Sequence, residues 1–279
     1  MGHWLRDTSP EGVDVDGMLA DERFVYDDGS VLLADDAYRP HTFVWFHRDL
    51  RDEPEVPGEI TVLHRDERLV VVDKPPFLST IPRGRHVMQS VTVRLRDELG
   101  LPELTPLHRL DRVTSGVLLL ATERRWRGPY QTLFEHRRVR KTYEALAPRR
   151  DDLAFPLTVR NHIAKTRGVW QAQVVPGAPV NAITDIEVES EVGSAGGSQV
   201  GDLAVYRLTP HTGRTHQLRL HLHGLGIPIV GDPLYPEVLD VSVDDFSTPL
   251  QLLASTLEIV DPVDGRERRF VSARRLPIT

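Results

Sequence analysis

Four polar side chains, His108, Arg109, Asp111 and Arg112, lie directly before an apolar run at residues 117–121. The run is too short to span a membrane and lacks helical spacing, so it predicts a buried strand. A carboxylate at the mouth of such a strand, flanked by two arginines, is held ionised and in a fixed position. Asp111 is therefore a candidate for chemistry, although an ordinary ion pair that closes a loop accounts equally well for these local features.

A second group of polar side chains accompanies a predicted helix over residues 128–138 and a predicted strand over residues 139–147. The strand contains Lys141 and Tyr143, and its residues alternate as expected for a strand with two different faces. A tyrosine in a strand most often belongs to the core, and the periodicity alone favours that interpretation for Tyr143.

The third stretch follows Pro210 and reads His-Thr-Gly-Arg-Thr-His-Gln-Leu-Arg-Leu-His. Gly213 permits a tight turn, and Thr215 is a suitable N-cap for a helix. The predicted apolar face of this helix consists of Leu218, Leu222 and Leu225. Arg214 lies in the turn, where its guanidinium can bind a carboxylate or a phosphate in bidentate fashion.

Taken together, the three stretches resemble the RluA-type pseudouridine synthases. The resemblance rests on three motifs in the family's order: His-Arg-Leu-Asp-x-x-Thr-Ser-Gly before an apolar strand, Lys-x-Tyr after a basic helix, and Thr-Gly-Arg-Thr-His-Gln-Leu-Arg-x-His. Val-Val-Asp-Lys-Pro at residues 71–75 and Gly-Asp-Pro-Leu-Tyr at residues 231–235 agree with it. The likeness extends over residues 60 to about 260 and is absent before them.

The resemblance implies an enzyme that isomerises specific uridines of ribosomal or transfer RNA to pseudouridine, with no cofactor and no metal. It makes Asp111 the catalytic carboxylate, places Tyr143 against the target base and pairs Arg214 with Asp111. Leu218 would line the uracil pocket. Further candidate substrate-binding residues are His108, Arg109, Arg112, Lys74 and Lys141. For Lys74, a solvated position at a strand end is an equally good interpretation of the sequence.

Two chemical roles stay open for Asp111. An ionised carboxylate can attack the sugar as a nucleophile, or it can remove a proton from the sugar, and the sequence does not separate these steps.

The implied fold is α+β, with a mixed, mainly antiparallel sheet and with helices and loops around a central cleft, over residues 60–279. Residues 1–59 are predicted to form a separate, small, β-rich and acidic segment, because short β-prone runs surround the turn signal Asp28-Gly29. Many relatives carry a small RNA-binding domain in this place, and this segment would be a degenerate or replaced version of it. Residues 52–58 are rich in proline and acidic residues and predict a linker.

Other helices and strands are predicted from the spacing of apolar residues and from the Gly, Pro and capping residues that bound them. Strands are predicted at residues 60–63, 68–73, 156–160, 168–175, 180–189, 202–209, 250–260 and 268–272. A helix is predicted over residues 91–99, with Ser90 as its N-cap and Gly100 at its end.

The net charge of −7 is unevenly distributed. Residues 1–60 hold 15 acidic and 5 basic side chains, so the remainder carries 29 basic against 26 acidic ones. Residues 124–150, here called the basic stripe, hold nine Arg or Lys and only two acidic side chains. Such a stripe is usually a solvated face, but it also fits an RNA partner.

The chain has no cysteine, which excludes disulfides, thiolate catalysis and Cys-ligated metal sites. Its first residues lack the layout of a signal peptide, and no stretch is long enough to span a bilayer. We therefore expect a cytoplasmic protein that does not bind a membrane. The resemblance further implies a monomer without an obligatory protein partner.

Two rival interpretations use the same residues. Side chains of the types that bind zinc occur near the third motif, namely His211, His216, His221, His223 and Asp232, but their spacing does not match a metal-dependent hydrolase. An RNA-binding or ribosome-assembly protein could keep the fold without turnover. The presence of Asp111, Tyr143 and Arg214 together argues against that second alternative.

Overall fold

The computed structural model describes residues 1–9, 13–46, 52–84, 86–192 and 202–278. The chain divides into two compact units, Met1–Asp52 and Glu53–Thr279. The division therefore falls earlier than the predicted one between residues 59 and 60. The reason is that the Glu53 carboxylate accepts backbone N–H groups of residues 87–89 at 2.8–3.1 Å, which fixes this residue to the second unit.

The first unit is not β-rich in its described residues, and this prediction is corrected. It contains helices α1 (Gly2–Thr8) and α2 (Val15–Ala20), and two three-residue strands, β1 (Phe24–Tyr26) and β2 (Val44–Phe46). Strand β1 pairs with β2, whereas residues 30–33 contribute only a bridge between Val25 and Val31. Apolar side chains from both helices and from β1 form one small core, so helical packing outweighs the local β propensity.

The second unit contains a ten-stranded sheet, as the predicted fold class requires. Its strands are β3 (Thr61–Arg65), β4 (Leu69–Lys74), β5 (Thr105–Pro106), β6 (Ser115–Ala121), β7 (Val139–Pro148), β8 (Leu157–Asn161), β11 (Ala182–Val192), β12 (Leu203–Pro210), β13 (Leu252–Val260) and β14 (Glu267–Val271). A separate two-stranded sheet joins β9 (Ile163–Ala164) and β10 (Gln173–Val174).

The strand order of the large sheet is β3-β4-β6-β13-β7-β12-β11-β8, with β14 beside β13 and β5 beside β6. Strands β6 and β13 run parallel, and every other pair in the described residues is antiparallel. The sheet is thus mixed and mainly antiparallel, as expected.

Strands β4 and β6 are buried along their whole length because both faces of the sheet are covered. Val70 and Val72 join one hydrophobic cluster, whereas Leu69 and Val71 join another, in keeping with the two-residue period of a strand. Helix α3 (Val91–Leu99) contributes Val91 and Leu95 to the first cluster, and α4 (Arg124–Glu135) contributes Tyr130 and Leu133 to the second. Because α3 packs on one face of these strands and α4 on the other, residues 117–121 are all apolar and do not alternate with polar residues.

Helix α4 begins earlier and ends earlier than the predicted span 128–138. Its first backbone N–H, that of Arg124, donates to the Glu103 carboxylate at 2.8 Å, so a distant segment starts the helix before Pro129. Arg137 takes a left-handed conformation (φ 56°), which ends the helix. Helix α3 has its predicted bounds, and Gly100 closes it in the left-handed conformation (φ 64°).

The predicted strand at residues 168–175 is mostly a turn, of which only Gln173–Val174 is a strand. The remaining helix, α5 (Gln217–Gly224), is eight residues long. No helix in the described ranges is long and apolar enough to cross a membrane.

Gly116 lies in β6, five residues after Asp111, and adopts φ 111°, a conformation that residues with a Cβ rarely take. A Cβ here would stand 2.3 Å from the carbonyl oxygen of Ala254 on β13. We expect Gly116→Ala to lower the free energy of unfolding by at least about 2 kcal/mol, because both the φ angle and the backbone contact must change. Urea unfolding followed by circular dichroism measures this.

Gly224→Ala is the matched control, because Gly224 is the last residue of α5, with open space around its missing Cβ. Alanine should leave stability unchanged or raise it by up to about 1 kcal/mol. Equal stability of the two variants would contradict the interpretation.

Candidate active site

Asp111 lies in the loop between β5 and β6, where the N–H of Thr114 donates to its backbone carbonyl at 3.0 Å. Its carboxylate is 38% exposed, and Oδ2 lies 3.6 Å from Nη1 of Arg219 and 3.9 Å from Nε2 of His216. The tight turn holds the backbone, and the buried start of β6 holds the residues that follow. The side chain is thus fixed at the wall of an open cleft, with a cation beside it.

Arg219, on α5, is buried and forms a bidentate ion pair with Asp232. Nε donates to Oδ2 at 2.8 Å and Nη2 donates to Oδ1 at 2.5 Å. Burial lowers the pKa of Arg219, but the hydrogen bonds and charge of Asp232, together with the charge of Asp111, leave it above its usual value. With two nitrogens occupied by Asp232, Nη1 remains to face Asp111.

The predicted pair between Arg214 and Asp111 is not formed, and Arg219 takes that place. Arg214 is exposed, and its Nε donates to the carbonyl of Asn181 at 3.3 Å. It precedes α5 in a turn closed by Gln217, whose side-chain oxygen accepts the N–H of Arg214 at 3.0 Å. Arg214 is thus one of the exposed residues that line the cleft, whereas the first turn of α5 places the Arg219 guanidinium beside Asp111.

A sequence signal for Arg219 existed. The residue lies between Leu218 and Leu220 in a stretch that is buried on both sides, and a buried arginine requires a carboxylate partner. Asp232 in the Gly-Asp-Pro-Leu-Tyr motif supplies it.

The N-cap of α5 is His216, so the prediction that Thr215 caps this helix is wrong. His216 has φ 56°, and its Nδ1 lies 3.0 Å from the hydroxyl of Tyr235. Burial lowers the pKa of His216; the charge of Asp111 opposes this and the charge of Arg219 reinforces it. The imidazole is therefore neutral at pH 7, and its ring stands between the catalytic candidate Asp111 and the Tyr235 hydroxyl.

Tyr143 on β7 and Leu218 on α5 line the same cleft as Asp111, which has a volume of about 2230 Å³. Tyr143 is half-buried and packs against the main core, so the core interpretation holds for part of its ring. Burial raises the pKa of its phenol, and the Asp111 carboxylate raises it further. The structure thus brings Asp111, Tyr143 and Leu218 together, with the phenol protonated at neutral pH.

Lys74 does not line the cleft, and its assignment as a substrate-binding residue is corrected. The side chain is fully buried, and its Nζ donates to the carbonyls of Pro75, Leu78 and Arg112 at 2.8–3.1 Å. Burial lowers the pKa of Lys74, whereas Asp111 opposes that shift. The amine serves to hold the loop after β4 against the loop that carries Asp111.

The other predicted substrate-binding residues all line the cleft, but they differ in burial and in the contacts that hold their side chains. His108 accepts the N–H of Leu119 at 3.1 Å and stacks on Phe134, and burial lowers its pKa to about 3, so it is neutral and held in place. Arg112 is half-buried, and its Nη1 donates to the carbonyl of Val243 at 3.2 Å. Arg109 is exposed, and Lys141 is half-buried with its pKa lowered by burial.

The residues of the metal-site alternative are spread over different contacts. His211 pairs with Asp185, and His221 is bonded to Thr184 and Asn161. Across the described ranges, no group of three or more His, Cys, Asp or Glu side chains is arranged to hold a metal ion.

Comparisons with known proteins bear on the family of this chain. The sequence model of a family described as RNA pseudouridylate synthase matches residues 68–224. An uncharacterized RNA pseudouridine synthase of Synechocystis is 30% identical over 237 residues, which cover 83% of this chain and 73% of that protein. The dual-specificity RNA pseudouridine synthase RluA of Yersinia pestis is 30% identical over 217 residues, covering 75% and 96%.

Among solved structures, human RNA pseudouridylate synthase domain containing 1 superposes with a TM-score of 0.62 and 26% identity. The match covers 80% of this chain and 86% of that one. The fold of most of this chain is therefore shared with that protein.

His221 leads to a prediction about pH. It is buried between Thr184 and Asn161, with its two nitrogens 2.9 and 3.1 Å from their oxygens, and burial lowers its pKa to about 4. In the unfolded chain the pKa is near 6.5, so the unfolded state binds the proton more tightly. The free energy of unfolding should be at its full value above about pH 6.5 and fall as the pH drops toward 4.

Other histidines contribute to the same trend, so the measurement compares His221→Gln with wild type by urea unfolding between pH 7.5 and 4.5. The variant should lose less stability over this range, by roughly 2–3 kcal/mol. Parallel pH profiles would show that His221 is not buried in its neutral form.

Proposed function

Because the chain belongs to the RluA-type RNA pseudouridine synthases, isomerases that act on uridine in RNA, we propose that Asp111 is its catalytic carboxylate. The observation that carries this proposal is the position of Asp111: partly exposed to the cleft and backed by a buried arginine at 3.6 Å. A buried cation beside a carboxylate stabilises its negative charge when a substrate displaces the surrounding water.

The reaction breaks the bond between N1 of uracil and the ribose, turns the base and joins its carbon 5 to the same sugar carbon. Carbon 5 loses a proton and N1 gains one, so neither a redox change nor a net transfer occurs. An ionised Asp111 serves either as the nucleophile at the sugar or as the base that removes a sugar proton, and both roles need the carboxylate that Arg219 stabilises.

Tyr143 and Leu218 would hold the target base. A uridine inside folded RNA must leave its stack, at a cost of a few kcal/mol, and stacking on an aromatic ring recovers part of that cost. Because the Tyr143 phenol has a raised pKa, it enters the reaction neutral, as a stacking surface and a hydrogen-bond donor.

The basic stripe would bind the RNA backbone. Within it, Arg125, Arg149 and Arg150 are neutralised by nearby carboxylates. Arg137 and Arg138 line the cleft and form no ion pair within the described part of the chain. These two residues and Lys141 are cleft-lining cations of the stripe that can bind phosphates, so binding should weaken steeply as the salt concentration rises. The proposed substrate class, ribosomal or transfer RNA, is carried over from the family, whose relatives include a tRNA pseudouridine(32) synthase of Saccharomyces cerevisiae.

The first test of this function is release of tritium from total cellular RNA labelled at carbon 5 of uridine. Wild type should release tritium without added metal or cofactor, and Asp111→Asn should release none, because the amide can neither attack nor accept the proton. Asp151→Asn, an exposed carboxylate in a surface ion pair, is the matched control and should match wild type.

RNA that binds without any release by wild type would favour the alternative of a non-catalytic RNA-binding protein. Equal release by wild type and Asp111→Asn would contradict the assignment of Asp111.

A second prediction separates the two arginines. Arg219→Lys should lower kcat/KM by at least about a hundredfold, because a lysine cannot bind Asp232 in bidentate fashion and face Asp111 at once. Arg214→Lys should stay within about tenfold of wild type, since it keeps the charge of an exposed side chain. The same tritium assay measures both, and the reverse ranking would restore Arg214 as the partner of Asp111.

A further inference from the structure

Trp170 is the most exposed large apolar side chain in the described residues, at 76%. It lies in the turn that connects β9 and β10, at the rim of the cleft that contains Asp111. An indole left in water has no role in the core of its own hairpin. Its exposure therefore calls for an explanation outside the fold.

The hairpin that carries Trp170 is fixed at its base. The hydroxyl of Tyr235 accepts the N–H of Ala172 at 2.8 Å and lies 3.1 Å from the carbonyl of the same residue. The side chain of Gln171 donates to the carbonyl of Leu234. Residues directly after Trp170 are thus tied to the segment that follows Asp232, so the indole is presented from a defined position.

The turn is also held from its other side. Nζ of Lys165 donates to the carbonyls of Thr166 and Val169, which closes the loop just before Trp170. Lys165, Trp170 and His216 all line the cleft, so this turn faces the same cavity as the candidate site.

The cleft has room for more than the target nucleotide. Its volume of about 2230 Å³ exceeds the roughly 300–1,000 Å³ of a pocket for one small molecule. Asp111, Tyr143 and Leu218 occupy one part of its lining, whereas Trp170 lies on the hairpin at its rim.

The charged residues in the segment around Trp170 indicate which kind of ligand it binds. Residues 162–181 contain Lys165 and Arg167 but no Asp or Glu, in a chain with 41 acidic residues. An exposed aromatic ring on a segment that contains cations and no carboxylates has the composition of a stacking site for a nucleic-acid base.

On these grounds we propose that Trp170 stacks on an unpaired base of the RNA next to the target uridine. This inference rests on the proposed function and adds a second nucleotide site to it. Because stacking on a neighbouring base is the same before and during the reaction, Trp170 should contribute to KM and to RNA affinity rather than to kcat.

The binding test uses a fluorescein-labelled single-stranded oligouridine and fluorescence anisotropy. Trp170→Ala should raise the Kd about ten- to a hundredfold, and Trp170→Phe should recover most of the affinity, because phenylalanine also stacks. Val174→Ala is the matched control: it lies on β10 of the same hairpin, is 40% exposed and does not line the cleft, so it should bind as wild type does.

Direct contact between the Trp170 indole and the RNA is tested by a separate measurement. Intrinsic tryptophan fluorescence of wild type should be quenched by unlabelled oligouridine, and this quenching should disappear in Trp170→Phe although the RNA is still bound. In the tritium assay, Trp170→Ala should raise KM by a similar factor and leave kcat nearly unchanged.

The outcomes separate the two proposals. Lost affinity and lost quenching without any tritium release by wild type would support Trp170 as a stacking site and contradict the proposed function. Tritium release by wild type, with Trp170→Ala unchanged in Kd and KM, would overturn the inference and leave the proposed function in place. An equal loss of affinity in Val174→Ala would also overturn it, since the hairpin and not the indole would then matter.

Discussion

The buried ion pair between Arg219 and Asp232 is the interaction on which the candidate site depends. Two charges removed from water are tolerated only when each is well paired and hydrogen-bonded. Asp232 meets this condition by accepting both guanidinium contacts and the N–H groups of Leu234 and Tyr235. One carboxylate therefore aims the arginine at Asp111 and also fixes the segment whose Tyr235 hydroxyl contacts His216 and Ala172.

The sheet brings the two other parts of the site together. Asp111 precedes β6, Tyr143 lies on β7, and β13 runs between these strands. Small residues, Gly116 on β6 and Ala254 on β13, let the backbones approach closely at this point. The pairing of β13 with β7 shifts register between Leu253 and Thr256, and such irregularities commonly occur beside active sites because they re-aim side chains.

Much of the scaffold could be predicted from the sequence, because periodicity reports burial directly. The apolar run of β6, the alternation in β7 and the four-residue repeat of α3 each identified their element. Which arginine reaches Asp111 could not be predicted, because the choice depends on how the turn before α5 directs each side chain. Lys74 and the helices of the first unit were missed for a related reason: burial of an amine and packing of short helices are decided by distant contacts.

The chain contains only three lysines, Lys74, Lys141 and Lys165, among its 34 basic side chains. Lys74 is sealed inside the protein by three carbonyls, whereas the other two line the cleft. Guanidinium groups do not react with acylating reagents under mild conditions, because they remain protonated. Apart from the α-amine, stable acylation of amines in this protein is therefore confined to the two cleft lysines, and the extent of amide formation there reports how much of the cleft a bound ligand covers.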